Sequence, residues 1–345
     1  MVSLTQPRST ATARTRDEAP AHIVDEVSAP PRWLVLANLW AVYLVWGSTY
    51  LAIRIAVETI PPFLGAGVRF VIAGLIVAAF LQARGRLAVA SLGREQLVAS
   101  AIVGTLLLLG GNGLVMSAEQ TVPSGLAALL IASVPLWVVV LRTLHGQRIS
   151  RTTLVSIAVG FVGLAILVLP KAEGGLATLA GPLLLIVASI SWATGSFYSQ
   201  RLALPRDPLV STSLQMLFGG IVLSLSGVLL GEVGTMQQAE ISTASVVALG
   251  YLVVFGSLVG FTAYTWLLHH APVSTVATYA YVNPVIAVFL GWALLSEDVT
   301  AAILAGAAVI VASVAFVVRQ ETLSRPRTRA PDIEAGTPGP AAARG

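Results

Sequence analysis

Pro123-Ser-Gly-Leu-Ala-Ala-Leu-Leu-Ile-Ala-Ser-Val-Pro135 has a second copy downstream, Pro272-Val-Ser-Thr-Val-Ala-Thr-Tyr-Ala-Tyr-Val-Asn-Pro284. Each copy is a proline, eleven residues and a proline, and each begins where a polar link gives way to a long apolar run. Pro123 and Pro272 read as helix starts, because a proline in the first turn forfeits no hydrogen bond. Pro135 and Pro284 fall inside the runs, where they are expected to kink a helix and free a carbonyl. In lipid such breaks are tolerated only where protein or a water-filled cavity satisfies the backbone. The two kinks therefore predict a cavity bordered once by each half of the chain.

The surrounding composition supplies the lipid. Of 345 residues, 56% are hydrophobic and only 10% charged, and the mean hydropathy is +0.85. Soluble domains carry about 25% charged residues. Ten apolar spans are expected, at about 33–53, 61–82, 96–117, 121–143, 152–170, 180–200, 208–230, 244–268, 272–295 and 300–318. Residues 1–32 and 319–345 read as disordered polar tails. The fold class that follows is an all-α integral membrane protein of ten transmembrane helices. The first apolar run is too long for the core of a secretory signal. The net charge of +4 does not point to nucleic acid, since the basic residues lie between the apolar runs and at the ends. With no cysteine, disulfides and thiolate metal sites are excluded, and no metal or cofactor is expected.

Charge orients the bundle. With the N-terminus inside, only Arg54 and Lys171 of the 20 Lys and Arg residues fall outside, and Arg69 lies within a span. That asymmetry predicts both termini in the cytoplasm, and hence an even number of spans. The repeat extends well beyond the proline pairs. Trp46 and Trp192 stand late in the first span of each half, Pro62 and Pro208 open the second, Gly74 and Gly220 follow, and Gly111 and Gly260 match in the third. Five spans per half make the halves, 33–170 and 171–318, enter the membrane from opposite sides. Such inverted-topology repeats rock about a central site.

Three runs carry a family resemblance: Trp46-Gly-Ser-Thr-Tyr-Leu-Ala-Ile-Arg54, Ala118-Glu-Gln-Thr-Val-Pro-Ser-Gly-Leu-Ala-Ala-Leu-Leu130 and Tyr281-Val-Asn-Pro-Val-Ile286. They resemble the EamA family of the drug/metabolite transporter (DMT) superfamily, over about residues 33–318. The resemblance implies ten helices in two EamA repeats and a metabolite carrier, often an exporter, in the inner membrane of a bacterium. The family commonly closes its fourth and ninth helices with Gly-Glu. Here the first copy reads His145-Gly-Gln147 and the second Leu295-Ser-Glu297, so half of each motif is present.

Within the spans, Arg69 is the sharpest candidate. An arginine at the membrane centre costs roughly 2.5–3.5 kcal/mol on insertion scales, so something must offset it. It either meets an anionic substrate group such as a carboxylate, or pairs structurally with Glu58 or Glu119, or snorkels to the surface. Gln215 is its repeat partner, seven residues after Pro208 as Arg69 is after Pro62. By the inversion the two are expected to flank a midplane site. Helical spacing adds polar-aromatic faces: Tyr43, Gly47, Tyr50 and Arg54 beside Trp46; Ser189, Trp192, Ser196 and Ser199; Ser257, Phe261 and Tyr264; Tyr279 and Asn283. Asn112 lies in a Gly110-Gly-Asn-Gly113 run that permits close approach. As a set these faces fit a substrate-binding cavity formed by Trp46, Tyr50, Arg69, Asn112, Trp192, Gln215, Tyr264, Tyr279 and Asn283, although packing or membrane-interface anchoring is the plainer role for any single aromatic. The pairs Gly227-x-x-x-Gly231 and Gly256-x-x-x-Gly260 permit close helix crossings, and the plain fifth and tenth spans are free to act as scaffold or as a homodimer face.

No Asp or Glu lies in the middle of a span. Coupling to a proton would fall to Glu119 or Glu297 near the outer face or to His269 and His270 near the inner one; uniport and exchange stay open. The favoured function is a secondary carrier of small metabolites, such as amino acids or related carboxylates, working by alternating access in a multi-pass protein whose other partner is lipid. The alternative cargo is an aromatic or cationic drug-like compound. An enzyme is disfavoured by the lack of a nucleophile with a base or of clustered metal ligands, a channel by the kinked inverted repeat, and ATP-driven transport by the lack of a phosphate-binding loop.

Overall fold

The computed structural model describes residues 30–87, 92–172, 175–238, 240–271, 273–276 and 278–323. Every regular element among them is helical. Ten apolar helices follow in order: α1 Arg32–Ala56, α2 Pro62–Ala83, α3 Arg94–Ala118, α4 Ser124–Leu144, α5 Arg151–Pro170, α6 Leu176–Ser199, α7 Pro208–Leu229, α8 Thr243–Tyr264, α9 Tyr279–Leu295 and α10 Ala301–Gln320. Among the described residues nine of them are long and apolar enough to cross a membrane, whereas α9, with 17 residues, falls short. The two tails lie almost wholly outside the described residues, as does Pro272.

Helix starts follow the prolines. Pro62 and Pro208 occupy the first turns of α2 and α7, and Pro123 precedes the first residue of α4. The internal prolines behave differently from each other. α4 is interrupted at Ala132 and Ser133, between Ser124–Ile131 and Val134–Leu144, and Pro135 sits in the first turn of the second segment. α9 runs through Pro284 without a break in its helix. Pro284 is only the sixth residue of α9, so few carbonyls precede its ring. The break comes earlier. A separate short helix spans Val273–Val276, and the Thr278 hydroxyl donates to the Thr275 carbonyl at 2.5 Å. Such side-chain bonds to nearby backbone favour turns over helix. The expected single span 272–295 is thus divided.

The third helix of each half contains a π-helical stretch, Thr105–Gly113 in α3 and Leu252–Val259 in α8. Such i→i+5 segments are rare and concentrate at functional sites. Their positions match in the two repeats, and each contains or adjoins glycines that sit against an indole. A Cβ on Gly111 would stand 2.7 Å from the Trp192 ring, and one on Gly260 would collide with the Trp46 indole.

These contacts reveal how the halves interlock. α1, the first helix of the first half, packs on α8 and α9 of the second. α6, the first helix of the second half, packs on α3 and α4 of the first. The halves have exchanged their first helices. Two further seams join repeat mates, α2 with α7 and α5 with α10. Glycines permit the close crossing of α2 and α7: a Cβ on Gly220 would lie 2.8 Å from the Val71 nitrogen, and one on Gly74 would lie 2.9 Å from Leu217. Among membrane helices, where lipid is as apolar as leucine, small residues at seams supply the packing. The α2–α7 pair is also tied at both ends. Glu232 accepts from the Phe63 and Leu64 amides at 3.2 and 2.8 Å, and Arg86 pairs with Asp207 at 2.7 Å. The core is built on Phe70, Met116, Leu129, Leu136 and Leu223, while Leu75, Val155, Phe289 and Trp292 are exposed on the outside of the bundle.

Candidate functional site

A cavity with about 800 Å³ of empty space lies between the halves. Its wall takes Trp46, Thr49, Tyr50 and Ile53 from α1, Arg69 from α2, Gly111, Asn112 and Val115 from α3, and Ala188 and Trp192 from α6. The interrupted α4 contributes Ala128, Ile131, Ala132 and Val134, α9 contributes Tyr279, Ala280, Asn283 and Pro284, and α8 contributes Phe261. Concave sites that are mostly apolar with a few placed polar groups are the usual form of a small-molecule site.

Seven of the nine residues expected to bind substrate line this wall: Trp46, Tyr50, Arg69, Asn112, Trp192, Tyr279 and Asn283. Tyr264 stands behind it, its ring centroid 5.0 Å from that of Trp46 and 5.8 Å from that of Tyr279. Gln215 is elsewhere, which corrects its expected place opposite Arg69. It lies at the crossing of α7 with α3, where a Cβ on Gly104 would meet its backbone, and its side chain donates to Ser211 Oγ at 2.8 Å on its own helix. The pseudo-symmetry matches the positions along the helices but not the outlets. α2 touches the cavity, while α7 is turned into the seams with α2 and α3.

Arg69 is 2% exposed. Its Nε donates to Ser257 Oγ at 2.9 Å, and its guanidinium lies 4.6 Å from the centroid of the Phe70 ring. Neither Glu58 nor Glu119 pairs with it, and its Nη1 has no partner in the protein. Gly256 makes the room, since a Cβ there would stand 2.9 Å from Nη2. Asn283 is buried too, and its Oδ1 has no partner. Arg69 and Asn283, both in the cavity wall, thus each carry a buried polar atom without a partner amid an aromatic surround. Trp46 anchors that surround: its Nε1 donates to the Gly256 carbonyl at 3.2 Å, and its ring meets Phe261 and Tyr279 at 5.4 and 5.3 Å. Asn112 Nδ2 turns back to the Leu107 carbonyl at 3.4 Å within the π-helical stretch.

The ends of several helices meet beyond one end of the cavity. Glu297, just past α9, accepts from the amides of Ser124 and Gly125 at 2.7 and 3.0 Å, capping α4. A second recess, with about 500 Å³ of empty space, is lined by Arg54, Glu58, Thr121, Val122, Pro123, Leu295 and Glu297. Glu119, in the link between α3 and α4, has no exposed surface, and both its carboxylate oxygens lack partners. Burial pushes its carboxyl well above the usual carboxylate range; Glu297 pushes the same way and Arg54 opposes. Of the other groups considered for coupling, His270 is exposed, stacked on Trp266 and bonded to the Trp266 carbonyl at 2.8 Å. The His269 side chain lies outside the described residues.

Sequence reasoning missed the helix-capping roles of Glu232 and Glu297. Acidic residues just past one helix that face the first turn of another leave only a weak signal, because the pairing is tertiary. It also left Ser257 without a partner, although its shared face with Phe261 pointed inward.

Known proteins agree with this architecture. A profile described as the EamA-like transporter family matches residues 33–169 and again residues 179–319. An uncharacterised inner membrane transporter of Escherichia coli (strain K12), YedA, is 40% identical over 264 residues, covering 76% of this chain and 83% of its own length. A probable amino-acid metabolite efflux pump of Salmonella typhimurium is 26% identical over 287 residues, 79% of this chain and 90% of that protein. A solved crystal structure, 21% identical in sequence, superposes with a TM-score of 0.60 over 86% of this chain and all of its own, a likeness of fold.

Proposed function

Because the chain belongs to the EamA-like transporter family, we propose that it is a secondary carrier that moves a small carboxylate-bearing metabolite, of the amino-acid kind, through the central cavity by alternating access. The observation that carries this reading is that two residues lining one aromatic cavity each carry a buried polar atom without a partner, Nη1 of Arg69 and Oδ1 of Asn283. A buried arginine without a counter-ion is costly, and a substrate carboxylate would offset that cost while present. An ammonium group would suit the Asn283 oxygen and the aromatic faces. The protein sits in the cytoplasmic membrane with both termini inside, spans it ten times with α9 as the short member, and works as an exporter. The direction rests on likeness to the Salmonella efflux pump, and the orientation on the Lys/Arg asymmetry.

An aromatic cation is the alternative cargo. The lining by Trp46, Tyr50, Trp192 and Tyr279 favours it, but it would leave Arg69 uncompensated and repel it. A thermal-shift panel of amino acids, organic cations, nucleotide precursors and sugars, on wild type and Arg69→Ala in detergent, separates the two. A ligand at 100-fold its dissociation constant adds about 2.7 kcal/mol to the state that binds it. The expected outcome is a carboxylate shift that is lost in Arg69→Ala. A cation shift retained in the variant would replace the proposed cargo with the alternative one.

A further inference from the structure

Glu119 occupies a septum. On its own segment, Val115 four residues before it lines the central cavity, and Thr121 two residues after it lines the recess. On α1 the division repeats: Tyr50 and Ile53 face the cavity, while Arg54 faces the recess and donates from Nη1 to the Glu119 backbone carbonyl at 3.1 Å. The Glu119 carboxyl, fully buried with both oxygens unpartnered, thus lies between two spaces and opens into neither. Glu297, which caps α4, is itself part of the recess wall. Ser124 Oγ, at the capped end, is also buried and unpartnered.

We propose that Glu119 is a proton-carrying site between the substrate cavity and the recess, loaded while Glu297 caps α4 and discharged when that cap lets go. A carboxyl with no donors around it keeps its proton, because a bare buried carboxylate is far costlier than a neutral acid. When Glu297 leaves α4, the recess reaches Glu119. Its O–H bond breaks, the proton passes to water, and the remaining carboxylate is met by Arg54 and the freed amides of Ser124 and Gly125. The titratable and charged groups around it are Tyr50 and Arg54 on α1, Glu58 in the following link and Glu297 past α9. The first turns of α2, α4 and α6 contribute none. The role in transport rests on the carrier reading; the proton site itself does not.

Infrared difference spectroscopy of the full-length protein in lipid, against pH, tests the site without any substrate. The carbonyl stretch of a protonated carboxylic acid is expected at neutral pH in the wild type. It should vanish in Glu119→Gln, and its titration should move to lower pH in Glu297→Gln, where a neighbouring negative charge is gone. A wild type without that band, or a band that Glu119→Gln leaves unchanged, overturns the proposal. Melting against pH is the second measurement. The folded pKa of Glu119 lies above the unfolded one, so its proton contributes stability that is full below the usual carboxylate range and is lost as pH rises through the raised value. Wild type should therefore lose melting temperature relative to the neutral variant Glu119→Gln as pH rises, and parallel curves would count against the site. A ligand panel that finds nothing would leave these two results standing, and their failure would leave the carrier standing.

Discussion

Arg69 shows how one side chain is held for use. Its Nε bond to Ser257 Oγ and the space left by Gly256 fix the guanidinium at the cavity wall with Nη1 unoccupied. Ser257→Ala would leave that Nε buried without an acceptor. Hydrogen bonds to charged groups are worth about 1.5–3 kcal/mol, so the variant should lose stability of that order in thermal melts and bind a carboxylate probe more weakly. A melt unchanged from wild type would mean that another acceptor serves Arg69. The sequence singled out Arg69 as a lone arginine in an apolar span but left snorkelling open; the structure buries it, at 2% exposed. Its partner was less legible. The Ser257-Phe261-Tyr264 face gave the direction but not the pairing, which joins residues 188 apart. Gln215 misled because equal spacing from a helix start fixes height along a helix, not which neighbour the side chain meets.

At the scale of elements, the π-helical stretches of α3 and α8 each set a glycine against the tryptophan of the other half. Gly111→Ala and Gly260→Ala should each overpack that contact. Insertions into a well-packed interior cost typically about 1–3 kcal/mol, so both melting temperatures should fall, by similar amounts if the pseudo-symmetry holds energetically. A neutral result for one would show that its indole can retreat. The glycine matches were readable from the repeat, as were the helix starts at Pro62, Pro123 and Pro208. The i→i+5 bonding was not, because a glycine run permits a wider helix without requiring one. Nor was the division before α9, where threonine hydroxyls compete for backbone carbonyls in a run whose hydropathy looks continuous.

For the whole molecule, the ties are uneven. α2 and α7 are joined along a glycine-lined seam and at both ends, by Glu232 and by Arg86 with Asp207. The pair α4 and α9 is held at the Glu297 end, α4 is interrupted at Ala132 and Ser133, and α9 follows a break. The Ser133 and Thr278 amides are held by single i→i−3 bonds, to the Leu130 and Thr275 carbonyls at 3.2 and 3.3 Å, a poorer geometry than that of the α-helix. Hydrogen exchange in lipid should therefore be faster at Ser133 and Thr278 than in the middles of α2 and α7. Uniform protection across the four helices would argue against α4 and α9 as the moving parts. The exchange of first helices also bears on how the protein comes to exist. Trp46 leaves the ribosome long before Gly256 and Gly260, the residues it will rest on. Until most of the second half has been inserted, the nascent α1 waits in the membrane with its aromatic face unmatched. The cavity then cannot assemble piece by piece as the chain emerges. It closes late and nearly all at once, and a chain cut short after its first half would hold neither a smaller carrier nor half a binding site.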